Sequence, residues 1–68
     1  MDTQAVVRTL KGEGFILSPG YIRWVIAEGH IPAPEVKVGS AFLWAEGDID
    51  RLRQFLRRQG HGPVAGNR

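Results

Sequence analysis

A chain of 68 residues with 43% hydrophobic and 24% charged side chains has room for one small core and is too apolar to remain disordered. The absence of cysteine excludes a disulfide framework and any thiolate metal site. The formal charge of +2 is unevenly spread: residues 1–50 carry four basic and seven acidic side chains, whereas residues 51–68 carry five arginines and no acid.

The spacing of Ala5, Val6 and Leu10 predicts a first helix over residues 3–11, capped by Asp2 or Thr3 and stopped by Gly12 and Gly14. Phe15, Ile16 and Leu17 are expected to fill the core where the chain crosses to the next helix. Ser18-Pro19 opens that helix, because serine accepts from orphan N–H groups and proline has none to waste. It should run to about Glu28, bury Ile22, Val25 and Ile26, and end at a left-handed Gly29. Pro32 and Pro34 then hold the chain extended. The stretch EVKVGSAFLW reads as two short strands around Gly39-Ser40, with Phe42 and Trp44 on one side.

The last helix should start near Glu46 and reach about Gln59, with Ile49, Leu52, Phe55 and Leu56 as its apolar stripe. Glu46, Asp48 and Asp50 occupy its first turns and Arg57 and Arg58 its last, as the helix dipole prefers. The expected organisation is a single domain over residues 1–59 and a flexible C-terminal tail over residues 60–68. The opening MDTQAVVRTL lacks the layout of a secretory signal, and no apolar run is long enough to span a bilayer. A cytoplasmic protein without membrane contact is therefore expected.

Catalytic constellations are missing from the sequence. His30 and His61 stand alone, so no metal ligand set forms. Glu46, Asp48 and Asp50 lack the closing glutamate of a calcium loop. The glycines of GEG are not followed by Gly-Lys-Ser/Thr, and Ser18 and Ser40 lack a His–acid pair. A non-enzymatic chain with no cofactor and no small-molecule substrate is expected.

The segment SPGYIRWVIAEGHIP, residues 18–32, resembles the second helix of MerR-like and phage excisionase-like DNA-binding domains. The matching residues are Ser18, Pro19, Ile22, Arg23, Ile26, Gly29, His30, Ile31 and Pro32. They continue with Gly39 at a wing tip, Trp44 at the wing's end, and Asp48-Ile49 with Leu52 in the closing helix. The resemblance covers roughly residues 15–57 and extends to the N-terminal domain of small phage terminase subunits. It implies a mainly α fold with a small β-hairpin, a winged helix-turn-helix, and double-stranded DNA as ligand. The chain departs from the family's pattern at Trp24, Ala27 and Glu28, at a wing whose only basic residue is Lys37, and at Ala45 in place of a Ser or Thr cap.

On that reading the second helix presents Gly20, Tyr21, Arg23 and Trp24 outward, and Ser18 and Gly20 bring its positive end close to a phosphate. Arg23 suits a phosphate or a guanine edge, or else pairs with Glu28 or Glu35. Tyr21 donates to a phosphate or covers the core edge. Trp24 stacks on nucleic acid or packs against protein, as interface tryptophans do. Lys37 and Ser40 reach from the wing. Arg51 and Arg58, seven residues apart, share a stripe with Gln54 that can neutralise phosphates or an acidic partner, and Asp48 and Asp50 can offset part of that field. One such module buries little surface, so self-association or a larger protein partner is expected. A second function fits the same fold: a protein-interaction or phage packaging module with Trp24 in its interface.

Overall fold

The computed structural model describes residues 1–59; the expected tail at 60–68 lies outside the described residues. Three helices and one antiparallel hairpin follow in the order α1 (Thr3–Gly12), α2 (Pro19–Ala27), β1 (Val36–Val38), β2 (Ala41–Leu43) and α3 (Glu46–Arg58). Asp2 caps α1, its carboxylate accepting from the Ala5 N–H at 2.8 Å. Ser18 caps α2, its hydroxyl accepting from the Tyr21 N–H at 3.1 Å, and Pro19 takes the first helical position. Each such cap is worth about 1 kcal/mol.

Both α1 and α2 end in the same way. Gly14 and Gly29 take positive φ of 97° and 80°. The next N–H then reaches back five residues, from Phe15 to the Leu10 carbonyl at 2.8 Å and from His30 to the Val25 carbonyl at 3.1 Å. This satisfies carbonyls that a helix end leaves open, at a backbone conformation glycine adopts without strain. Gly12 is the last residue of α1, so the stop falls at Gly14.

The start of α3 solves a different problem. Ala45 has no side-chain acceptor, and the cap comes from within the helix: the Asp48 carboxylate accepts from the Ala45 N–H at 2.9 Å. That is one half of a capping box, placed where the helix dipole favours an acid.

The core gathers residues from every helix. Val6 and Leu10 come from α1, Ile22 and Val25 from α2, and Ile49, Leu52, Phe55 and Leu56 from α3. Phe15, Ile31 and Trp44 fill in from the connections. Ile26 lies only partly buried beside this cluster. One expectation fails: Ile16 does not join the core and is 64% exposed, while Leu17 is partly buried. In extended chain successive side chains point to opposite sides, so burying Phe15 turns Ile16 outward.

Trp44 ties the hairpin to the start of the chain. It is buried, and its indole N–H donates to the Thr3 hydroxyl at 3.0 Å. Its main-chain N–H donates to the Met1 carbonyl at 2.7 Å, and the Met1 ammonium donates to the Trp44 carbonyl at 3.0 Å. A two-stranded hairpin is marginal alone, so these bonds and the packing of Phe42 on the core hold it in place. Among the described residues no helix is long and apolar enough to cross a membrane.

Candidate nucleic-acid interface

Burying Ile22 and Val25 decides what α2 shows to solvent. At 100° per residue the opposite side carries Gly20, Arg23, Trp24 and Ala27, and all four are exposed. Glu28 is exposed as well. Gly20 has room for a side chain, since a Cβ there would meet only the Ser18 hydroxyl at 3.9 Å. Packing within the protein therefore does not require glycine at this position.

Arg23 and Trp24 are neighbours that face different surroundings. Arg23 lines a cleft of about 330 Å³ between the start of α2, the residues Asp2 to Gln4, and the hairpin residues Ser40, Ala41 and Phe42. Its expected partners Glu28 and Glu35 do not pair with it. Ser40 thus joins Arg23 in one place. Asp2 sits in the same cleft, with its carboxylate engaged in capping α1.

Trp24 is 49% exposed and belongs to a run of aromatic contacts. Tyr21 stacks on it with ring centroids 5.8 Å apart, and His30 lies against it at 5.4 Å. His30 in turn stacks on the core residue Phe55 at 5.1 Å. Contacts of this kind contribute about 0.5–1.5 kcal/mol each beyond simple burial. They place Trp24 firmly while leaving half of it to solvent. Beside Tyr21, a shallow groove is lined by Ile16, Leu17 and Ser18. Sequence reasoning missed this groove, although the three consecutive apolar residues at 15–17 signal it, because all three cannot point inward.

The basic residues divide into engaged and unengaged groups. Arg53 forms a two-pronged pair with Glu13, at 2.7 and 2.9 Å, and also bonds Asp50. The bond from Arg53 holds the Glu13 carboxyl below its usual pKa, and the Arg53 guanidinium is correspondingly raised. This pair joins the end of α1 to α3 across forty residues of sequence. Arg51 pairs with Asp48 at 2.9 Å, one of the local offsets expected from the sequence. Its charge is thus partly balanced within its own helix. Arg57 and Arg58 are exposed in the last turn of α3 and pair with no acid among the described residues.

Lys37 does not sit alone at the hairpin: its ammonium lies 5.5 Å from the centroid of Phe42 on the facing strand. On the α3 helix, Arg51 and Arg58 fall on the side flanking Phe55, and Arg51 lines a cleft with Glu35 and Val36. Arg53 falls on the other side, towards α1. Among the described residues no group of three His, Asp or Glu side chains is placed to hold a metal ion. No family model, no curated protein and no solved structure matches this chain.

Proposed function

We propose that this chain is a small DNA-binding protein of the winged helix-turn-helix kind, excisionase-like or a transcriptional regulator, that works by binding and not by catalysis. The observation that carries the reading is Arg23: an exposed arginine on the outward side of α2, paired with no acid among the described residues, lining a cleft shared with Ser40 at the hairpin tip. On this reading α2 enters the major groove, the β1–β2 hairpin is the wing beside it, and Arg58 with Lys37 holds the phosphate backbone. Ser18 and Gly20 bring the start of α2 to a phosphate, and Tyr21 adds a hydroxyl near it. Arg51 contributes less, because Asp48 already holds it.

The test is a titration of random-sequence duplex at low and moderate salt, with an Arg23→Ala/Arg58→Ala variant alongside. Binding that weakens with salt, and weakens further in the variant, supports the reading. No complex at low salt overturns it.

Trp24 favours a second reading, a protein-interaction or phage packaging module on the same fold. A half-exposed tryptophan braced by Tyr21 and His30, beside the groove at Ile16 and Leu17, has the make-up of an interface anchor. Loss of a partner complex on Trp24→Ala, with duplex binding absent, would select it.

A further inference from the structure

We propose that the cleft at Arg23 seats a short extended segment of another protein, which pairs with the free main chain of Phe42 on the outer edge of β2 and places a carboxylate on Arg23. This seat needs no nucleic acid and goes beyond the duplex reading. Val38 faces Ala41 across the two-residue turn Gly39–Ser40, Lys37 faces Phe42, and Val36 faces Leu43. Around a two-residue turn the flanking pair exchanges both main-chain bonds, and every second pair repeats this. Ala41 and Leu43 therefore bond inward to β1. Phe42, whose ring packs on the core, turns its N–H and C=O outward.

The next outward residue, Trp44, shows what this edge accepts. Its N–H donates to the Met1 carbonyl at 2.7 Å, and its carbonyl accepts from the Met1 ammonium at 3.0 Å. Two residues that exchange both bonds are paired antiparallel. Met1 thus begins a third strand on β2, and in that direction Thr3 would come opposite Phe42. The chain leaves the edge before it gets there, because Asp2 caps α1 and Thr3 opens the helix. Among the described residues neither the N–H nor the C=O of Phe42 has a main-chain partner. An edge left open in this way is a template for another strand.

The departure of the chain into α1 opens the cleft of about 330 Å³ that Asp2, Thr3, Pro19, Arg23, Ser40 and Phe42 help to line. That volume is at the lower end of the roughly 300–1,000 Å³ of ligand sites and suits a chain segment of a few residues. Two features say what enters. The first is the pairing of one open donor with one open acceptor on a strand edge, which matches a peptide main chain. A phosphate would use the donor alone and face the carbonyl. The second is charge. Arg23 is exposed, pairs with no acid among the described residues, and is complementary to a carboxylate. Asp2, the acid in the cleft, is engaged with the Ala5 N–H.

The direction follows from Met1. A segment that continues its antiparallel path has its N-terminal side beside Asp2 and runs its C-terminal side past Ser40. Its carboxylate is then its own chain end or an acidic side chain near that end, and the mode is strand addition with carboxylate capture. Only one residue of the edge is open, so two main-chain bonds and one charged contact carry the complex, and dissociation constants of about 0.1–1 mM are expected. Trp24 does not line this cleft, so the seat is separate from the aromatic surface of α2.

An amide-resolved NMR titration of the full chain, without DNA, tests the seat. The probe is acetyl-Thr-Val-Thr-Val with a free C-terminal carboxylate. The Phe42 amide should shift and saturate, while the inward-bonded Val36 and Leu43 amides move less. The same peptide ending in an amide should bind about tenfold more weakly. An amidated peptide ending in glutamate tells a side-chain carboxylate from a chain end. In Arg23→Ala, an exposed substitution, all three peptides should bind alike and still move the Phe42 amide. No saturable shift of that amide up to about 5 mM peptide overturns the proposal. So do three peptides that bind the native chain equally, or a carboxylate preference that survives Arg23→Ala. A Phe42 amide moved by random duplex and by none of the peptides would give the edge to a phosphate, and would also overturn it. The peptide titrations contain no nucleic acid, so their failure leaves the duplex reading standing.

Discussion

Replacing Arg23 and Arg58 together with alanine tests the proposed duplex contact by counting counter-ions. Each phosphate neutralised by a cation lowers the slope of log K against log salt by about 0.9. Three of the proposed contact cations have no ion-pair partner among the described residues: Arg23, Lys37 and Arg58. Three contacts give a slope of about −2.7, hence roughly a fortyfold loss of affinity between about 50 and 200 mM salt. The double variant keeps Lys37 alone, so its slope should fall to about −0.9 and its loss over the same range to about fourfold. Fluorescence anisotropy of a labelled random duplex at five salt concentrations measures both slopes. Arg51→Ala serves as the contrast, since Asp48 already balances that charge and its removal should leave the slope nearly unchanged. A double variant with the original slope would refute the placement of Arg23 and Arg58 on phosphates.

Stability offers three further tests. Trp44→Phe removes the indole donor to Thr3 and should cost about 1–2 kcal/mol in urea unfolding; combined with Thr3→Val it should show a coupling of about 0.5–1.5 kcal/mol, and strict additivity would deny the bond. Gly29→Ala meets no atom within 4 Å, so its cost is that of the left-handed backbone alone, about 1–2 kcal/mol by the same melt; an unchanged midpoint would contradict that end of α2. Glu13 has a folded pKa below its unfolded value, so its contribution is present above the unfolded pKa and is lost as pH falls through the folded one. The stability gap between the native chain and Glu13→Gln should therefore be flat near neutrality and close in acid, and its size should stay under about 1 kcal/mol because the pair is solvent-screened.

How much of this was legible depended on whether a feature was local. The caps at Asp2 and Ser18, the left-handed Gly29 and the stripe from Ile49 to Leu56 are set by neighbours in sequence, and each appears where the spacing puts it. Trp44 as an inward-facing residue follows from strand parity with Phe42. The misses lie where distant segments meet or where a run is too short to have a period. Three apolar residues at 15–17 carry no period, so nothing local told Ile16 from Phe15. The Arg53–Glu13 pair spans forty residues, and no spacing rule reaches that far. Val36 and Val38 look like core residues in composition, yet the alternation that buries Phe42 and Trp44 turns them out. For the candidate site, the outward side of α2 was legible from its buried side. The pairing of Arg23 with Ser40 in one cleft needed the fold.

The two functional readings are less opposed than the adjacency of Arg23 and Trp24 suggests. Consecutive helix positions differ by 100°, enough to send two side chains to different surfaces. Arg23 turns to the cleft under the hairpin tip, and Trp24 turns to His30 and through it to Phe55. A duplex held by Arg23, Ser40 and Lys37 would use one flank of α2. A protein seated on Trp24, Tyr21 and Ile16 would use the other. The side chains therefore predict separable defects: Arg23→Ala should lower duplex affinity and spare a partner complex, and Trp24→Ala should do the reverse. If both substitutions abolish the same complex, α2 has one ligand and not two, and the division of its surface at residues 23 and 24 is wrong.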